Sequence, residues 1–393
     1  MPDLDVDVLL IGGGIASATA AATLREEGFD GSVLLVGREP ALPYHRPPAS
    51  KEYLRGDASV ADALVHPETW FAEQRIDVRT RTSVLGLDPS ERLATLSTKE
   101  QVRYDRALIA TGANVRRLGV DGAQLEGIHY LRALPNADAI RADAAGAGRI
   151  VCVGGSYIAT EVAASLTAIG AHVTMVMLEE HPLERGFGAT AGRYFRGLLE
   201  AHGVEVLGGE ELAAFEGDER LEHVRLSGGR TIDAQAAIVG VGAMPDVMLA
   251  RKAGLTIGEL GGVLCDDRLR TSEERIWAAG DMCEFQSVVH GRPMRIEHEE
   301  VAAAQGATAA RNMIGADAPH SEVPYFFSDL ADWASLEYVG PALEWDDEEV
   351  EGSVEDGAFA ITYRQGGRVR AVLSVGGAGD LDRAKSQIVA DCG

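Results

Sequence analysis

Residues 5–28 read DVDVLLIGGGIASATAAATLREEG. Asp5 to Ile11 is a short, mostly apolar, β-branched run, the pattern of a buried strand. It ends at Gly12-Gly13-Gly14, and Ile15 to Glu27 follows as an alanine-rich helix stopped by Gly28. Ser32 to Val36 then supplies a second buried strand, which completes a βαβ unit of the length that binds a dinucleotide. Gly12 allows the tight turn, Gly14 lets the backbone approach a pyrophosphate, and the helix start offers free N–H groups to its charge. Ser17 replaces the third glycine of the motif and is small enough to keep helix and strand close.

The same order recurs at residues 149–170, RIVCVGGSYIATEVAASLTAIG. Here the strand Arg149 to Val153 runs into Gly154-Gly155-Ser156-Tyr157-Ile158-Ala159, a helix extends through Ala168, and His172 to Met177 forms the next strand. Repetition makes the signal specific, and two dinucleotides are expected. Ser156 and Ala159 at the second and third glycine positions imply a slightly looser pyrophosphate. Glu179 and Glu180 follow the second strand, where an acid can bond a ribose 2′-OH, so NADH is expected over NADPH. Arg106 to Ala110 before Thr111-Gly112-Ala113, Ala236 to Val241 before Gly242, and Ile276 to Ala279 before Gly280-Asp281 each read as a strand ending in a ligand-facing turn. The fold class is α/β, with two Rossmann-like units.

At 393 residues the chain is long enough for two to three domains, at about 150 residues each. A hydrophobic fraction of 46% with 25% charged residues is ordinary for a globular protein. The net charge of −25 disfavours nucleic acid and anionic membrane as partners. No apolar run reaches the ~20 residues of a spanning helix, and Met1 to Asp7 has acids where a signal peptide has bases, so a cytoplasmic protein is expected. Cys152, Cys265, Cys283 and Cys392 are scattered without zinc-ligand spacing, which suggests reduced thiols and no structural metal. Lysine occurs only at 51, 99, 252 and 385.

The sequence resembles the FAD-dependent, NAD(P)H-linked ferredoxin reductases of the putidaredoxin and rubredoxin reductase type, and their relative apoptosis-inducing factor. The resemblance rests on Leu42-Pro43-Tyr44-His45-Arg46-Pro47-Pro48-Ala49-Ser50-Lys51, Ala110-Thr111-Gly112, Gly155-Ser156-Tyr157-Ile158-Ala159-Thr160-Glu161, Ala279-Gly280-Asp281, and Glu297-His298 ahead of Gln305-Gly306. It implies an FAD domain at 1–113 and 243–319, an inserted NAD domain at 114–242, and a small C-terminal α+β domain at 320–393. Gly12, Gly14 and Ala16 would face the FAD pyrophosphate with Arg46, and Asp281 would hold the ribityl chain. Val84, Ala110, Thr111, Gly112, Arg132 and Gly280 would line FAD. Glu39 or its neighbour Arg38 would meet the adenosine ribose, Arg38 standing where many relatives have the acid. On the nicotinamide side stand Gly154, Gly155, Ser156, Ile158 and Gly242. Lys51 would lie near flavin N5 and pair with Glu161. Tyr157 would cover the flavin or move aside for the nicotinamide, and Phe327 would approach the nicotinamide. Glu299 would lie beside the isoalloxazine, as a group that disfavours an anionic ring, as a proton donor, or as a solvated helix residue.

The resemblance implies hydride transfer from NADH to FAD, then single electrons to a ferredoxin- or rubredoxin-like acceptor, in a monomer or homodimer. Disulfide reductases of the same plan are excluded, because residues 1–151 lack cysteine and Cys152 stands alone in the second unit. An NADH oxidase or quinone reductase, and an NADH-responsive redox sensor, remain as alternatives. In the C-terminal part, Ala358 to Tyr363 and Arg368 to Val375 are expected to form a hairpin and Asp380 to Val389 a helix. The acidic stretch Glu344 to Glu351 is expected to be a solvated loop.

Overall fold

The computed structural model describes residues 2–146 and 148–392, the side chain of Cys392 excepted. Strand β1 (Leu4–Ile11) leads into helix α1 (Ile15–Glu26), then β2 (Val33–Val36), β3 (Ile76–Arg79), β4 (Val84–Asp88), β5 (Leu93–Leu96) and β6 (Gln101–Ile109). Val8 to Ile11 and Val33 to Val36 are buried, as expected of parallel strands covered on both faces. The sheet order is β3-β2-β1-β6-β5-β4, with β1 parallel to both β2 and β6.

After β7 (Ala113–Val115) the chain enters a second parallel sheet. Its elements are β8 (Ile128–His129), α2 (Leu134–Ala144), β9 (Arg149–Val153), α3 (Tyr157–Ala168), β10 (His172–Val176), α4 (Glu184–Ala201) and β11 (Glu205–Leu207). An antiparallel meander, β12 (Leu212–Glu216), β13 (His223–Leu226) and β14 (Thr231–Asp233), precedes β15 (Ala236–Val239). The order is β11-β10-β9-β15-β8. The chain returns along β16 (Ala243–Pro245), which pairs with β7 so that Ala113 faces Pro245.

β17 (Val263–Cys265) precedes β18 (Ile276–Ala278), which adds to the first sheet beside β6. β19 (Cys283–Ser287) and β20 (Arg292–Met294) then lead to α5 (Glu299–Met313). Helices α1 and α5 touch at Gly306, where a Cβ would meet the Ala16 carbonyl oxygen at 2.2 Å.

The C-terminal part is one antiparallel sheet, β21 (Tyr325–Leu330), β22 (Ala334–Val339), β23 (Asp347–Ser353), β24 (Ala358–Gln365) and β25 (Arg368–Val375), followed by α6 (Leu381–Cys392). Its order is β21-β22-β25-β24-β23. The acidic stretch expected as a loop is corrected here, because Asp347 to Ser353 pairs along its whole length with β24. It lies at the sheet edge and is largely exposed, so no apolar alternation marks it, while its carboxylates keep other strands from adding there.

Candidate active site

The turn after β1 holds Gly12 at φ 126°, and a Cβ there would stand 2.1 Å from the Ala110 carbonyl oxygen. Glycine is what lets β1 and the end of β6 pass. Gly14 caps α1 with no side-chain hydrogen bond and no acid in the first turn, and a Cβ added to it meets nothing within 4 Å. The first amides of α1 therefore open toward free space, ready for an anion. The second turn repeats this: Gly154 has φ 118° with Gly240 O at 2.2 Å from its added Cβ, and Ser156 caps α3 without a side-chain bond.

Between the two turns lies a cavity of about 730 Å³. Its wall takes Gly12, Gly14, Ala16, Arg38, Glu39, Arg46, Lys51, Val84, Ala110, Thr111, Gly112 and Arg132 from the first part of the chain. Ser156, Tyr157, Ile158, Glu161 and Gly242 come from the second, and Gly280, Asp281, Glu299 and Phe327 from the third. Gly154, Gly155, Glu179 and Glu180 do not line it. Gly154 serves the crossing with Gly240, and Gly155 has Glu179 Oε2 3.5 Å from the place of its Cβ. Glu180 is turned toward Arg196, 3.5 Å away.

Two cations and two carboxylates of the wall pair with each other. Arg46 Nη2 lies 2.5 Å from Glu39 Oε1, Tyr44 donates to Glu39 Oε2 at 2.5 Å, and Arg132 Nη2 lies 3.3 Å from Asp281 Oδ2. Burial opposes the Glu39 charge, but Arg46, the Tyr44 hydroxyl and Arg132 outweigh it and hold its pKa below the usual value. Burial, first of all, pushes the Tyr44 hydroxyl up to about 12. Arg38 points elsewhere, to Asp246 at 3.1 Å and Asn114 at 2.8 Å, so the two neighbours expected at the ribose diverge. Arg132 Nε is buried without a hydrogen-bond partner. A guanidinium N–H left over in a cavity wall, open helix starts and a cavity of this size fit a pyrophosphate-bearing dinucleotide such as FAD.

Elsewhere in the wall, Lys51 and Glu161 are each only 7% exposed at the side chain, and Nζ lies 3.0 Å from Oε1. Lys51 follows the turn Pro47–Ser50 and Glu161 sits in the second turn of α3, so the pair joins the two nucleotide units. Ser50 donates to Glu161 Oε2 at 2.5 Å and Ser328 to Oε1 at 2.6 Å. Ser165 fixes Ser50 by donating to its carbonyl at 2.7 Å. A buried ion pair persists only when its remaining lone pairs are satisfied in this way. The Phe327 ring lies 5.1 Å from Lys51 Nζ, and its N–H donates to His298 Nε2 at 3.2 Å. Burial holds the His298 imidazole below its ordinary pKa.

Sequence reasoning did not single out Ser328, Ser165, Asp246 or Arg196. Serines and an arginine on separate elements carry no spacing signal, since their meeting depends on the tertiary packing of β21, α3 and α4. Among the described residues, no helix is long and apolar enough to cross a membrane.

The glycine turn before α1 and the start of α3 open onto one cavity with a buried cation in its wall, an arrangement that fits an α/β oxidoreductase using FAD and a nicotinamide nucleotide. The chain belongs to the pyridine nucleotide-disulphide oxidoreductase family, whose profile matches residues 6–306. It is 32% identical to a ferredoxin–NAD(P)+ reductase of Sphingomonas, over 99% of this chain and 94% of that protein. It is 31% identical to a rubredoxin–NAD+ reductase of Pseudomonas putida, over 86% and 88% respectively. Among solved structures, the covalent putidaredoxin reductase–putidaredoxin complex superposes with a TM-score of 0.93 at 30% identity, over all of this chain and 94% of that one. The family name mentions a disulphide, yet Cys152, Cys265 and Cys283 are free and buried, and none lines the cavity.

Proposed function

We propose that this enzyme passes hydride from NADH to FAD and then releases electrons singly to a small iron–sulfur protein of ferredoxin or rubredoxin type. The observation that carries this reading is the Lys51–Glu161 pair, which ties the first nucleotide unit to the second inside the cavity wall. The relatives named as ferredoxin and rubredoxin reductases support the class of acceptor. Bound FAD supplies the conversion of a two-electron donor into one-electron steps.

Residues 1–113 and 243–319 hold FAD in this reading, with its pyrophosphate at Gly12, Gly14 and Ala16, and with Arg46 and Arg132 adding positive charge. Asp281 accepts from the ribityl hydroxyls. Residues 114–242 hold NADH at Ser156, Tyr157, Ile158 and Gly242. Lys51 keeps a positive charge where the incoming hydride brings negative charge, before the ring gains its second proton, and Glu161 with its two serines keeps that ammonium aimed. Tyr157 and Phe327 close the cavity against water.

NADH is favoured because the basic group near the second ribose is already engaged. Arg196 donates to Glu200 Oε1 at 2.9 Å, to the Glu180 carbonyl at 3.1 Å and to the Val206 carbonyl at 3.2 Å. A 2′-phosphate beside Glu179 would meet a carboxylate, and Arg196 could turn to it only by giving up these bonds. The test is Lys51→Met, which should retain FAD and slow reduction by NADH by about 100-fold, read in anaerobic stopped flow against both nucleotides. Unchanged reduction rates would remove Lys51 from the mechanism, and equal rates with NADPH would remove the nucleotide preference.

A further inference from the structure

One acid–base pair in the cavity wall has no part in the electron path. Glu299, the first residue of α5, lines the cavity with its side chain 11% exposed, and its Oε1 lies 2.6 Å from His45 Nδ1. Its Oε2 accepts the Arg46 N–H at 2.8 Å. The His45 side chain is 44% exposed, so the two groups form a line from solvent to cavity wall. The pairs Lys51–Glu161, Arg46–Glu39 and Arg132–Asp281 each contain a lysine or arginine, residues that keep their protons at neutral pH. His45–Glu299 alone among these four pairs joins two groups able to exchange one.

The surroundings favour a proton on this pair. The hydrogen bond that His45 donates to Glu299 raises the His45 pKa above its ordinary value, against the burial that lowers it, and the charges of Glu299 and Glu300 on α5 add to the rise. His66, whose ring stacks on Trp70 at 3.7 Å, is held below its ordinary pKa by burial first and by the His45 charge, with Glu26 of α1 acting against them. Arg46 adjoins His45 in the chain, while His298, next to Glu299, also feels Lys51 and Glu161.

We propose that His45 and Glu299 form a proton conduit that delivers, from solvent, the proton accompanying reduction of the bound flavin; the proposal rests on the flavoprotein reading above. NADH gives up its C4–H bond as a hydride, two electrons and one proton, yet a fully reduced neutral ring carries two added hydrogens. The second is a proton. It passes from water to the outer side of His45, from Nδ1 to Glu299 Oε1, and from that carboxyl into the cavity. The sum is NADH + H+ + oxidised ring giving NAD+ + dihydro ring. Return of the two electrons to one-electron acceptors frees two protons, the one drawn from water and the one that arrived within the hydride, and the pair carries them out one at a time.

The test uses the FAD-loaded enzyme in weak buffer near neutral pH, reduced anaerobically with NADH beside a pH-indicator dye, while the spectrum of the reduced ring is recorded. Wild type should take up about one proton per ring reduced. Glu299→Gln, which preserves an oxygen for the Arg46 N–H, should take up almost none and show the anionic reduced spectrum. His45→Gln should delay uptake about 100-fold behind ring reduction. Independently, the His45 imidazole followed by NMR should titrate at lower pH in Glu299→Gln than in wild type. Equal proton counts and rates in all three proteins, or an unmoved His45 titration, would overturn the conduit alone. A protein that takes up no FAD would instead overturn the flavoprotein reading beneath it.

Discussion

An ammonium as buried as that of Lys51 depends on its carboxylate, and the two serines around Glu161 show what that dependence requires of the neighbouring chain. Glu161→Ala should leave an unpaired charge and two stranded hydroxyls, and cost about 3–5 kcal/mol of stability, measured by chemical denaturation. A second residue-scale expectation concerns His320, 3% exposed, with Nδ1 3.1 Å from Thr308 Oγ1 and its ring edge-on to Phe285. Burial pushes its pKa down from 6.5 to about 4. The unfolded chain therefore binds more protons between those values, and the stability due to neutral His320 is complete above pH 6.5 and lost as pH falls toward 4. Between pH 7 and pH 5 the loss should be about 2 kcal/mol, and His320→Gln should remove that share of the slope in parallel denaturation curves. At this scale the sequence reached Lys51, Glu161 and Arg46, which sit inside recognisable motifs. It did not reach Ser328 or the orphaned Nε of Arg132, because those properties arise only when separate elements pack.

The glycine turns were the most legible elements, since strand, turn and helix lie in one continuous stretch and periodicity changes visibly at Gly12 and at Gly154. The small residues of α1 and α5 were legible for their type and not for their use. Their purpose is the close contact at Gly306, with the Ala16 carbonyl 2.2 Å from any added Cβ. Because Ala16 is also in the cavity wall, Gly306→Ala should press on the start of α1, destabilise the fold by about 1–3 kcal/mol and weaken FAD retention. Thermal melts and the flavin content of purified protein would check both effects. The C-terminal sheet was only half legible. β24 and β25 carry buried apolar runs and a Gly-Gly turn, whereas β23 is acidic and exposed, and its pairing with β24 is what makes it a strand.

Over the whole molecule, the chain runs through one nucleotide sheet, crosses to a second and returns, so that β18 joins the first sheet beside β6. That crossing brings Lys51, Glu161 and Phe327 from three stretches of sequence to one cavity. A net charge of −25 gives the molecule a long-range field that repels acidic partners, and association with one should strengthen with added salt unless arginines dominate the docking face. The most direct test of the central claim is anaerobic stopped flow on the purified FAD-loaded protein, mixed first with NADH and then with an oxidised 2Fe–2S ferredoxin. Rapid bleaching of the flavin by NADH followed by prompt reoxidation by ferredoxin is the expected result. Slow bleaching to a persistent reduced complex that ferredoxin leaves unchanged would contradict the electron-transfer account.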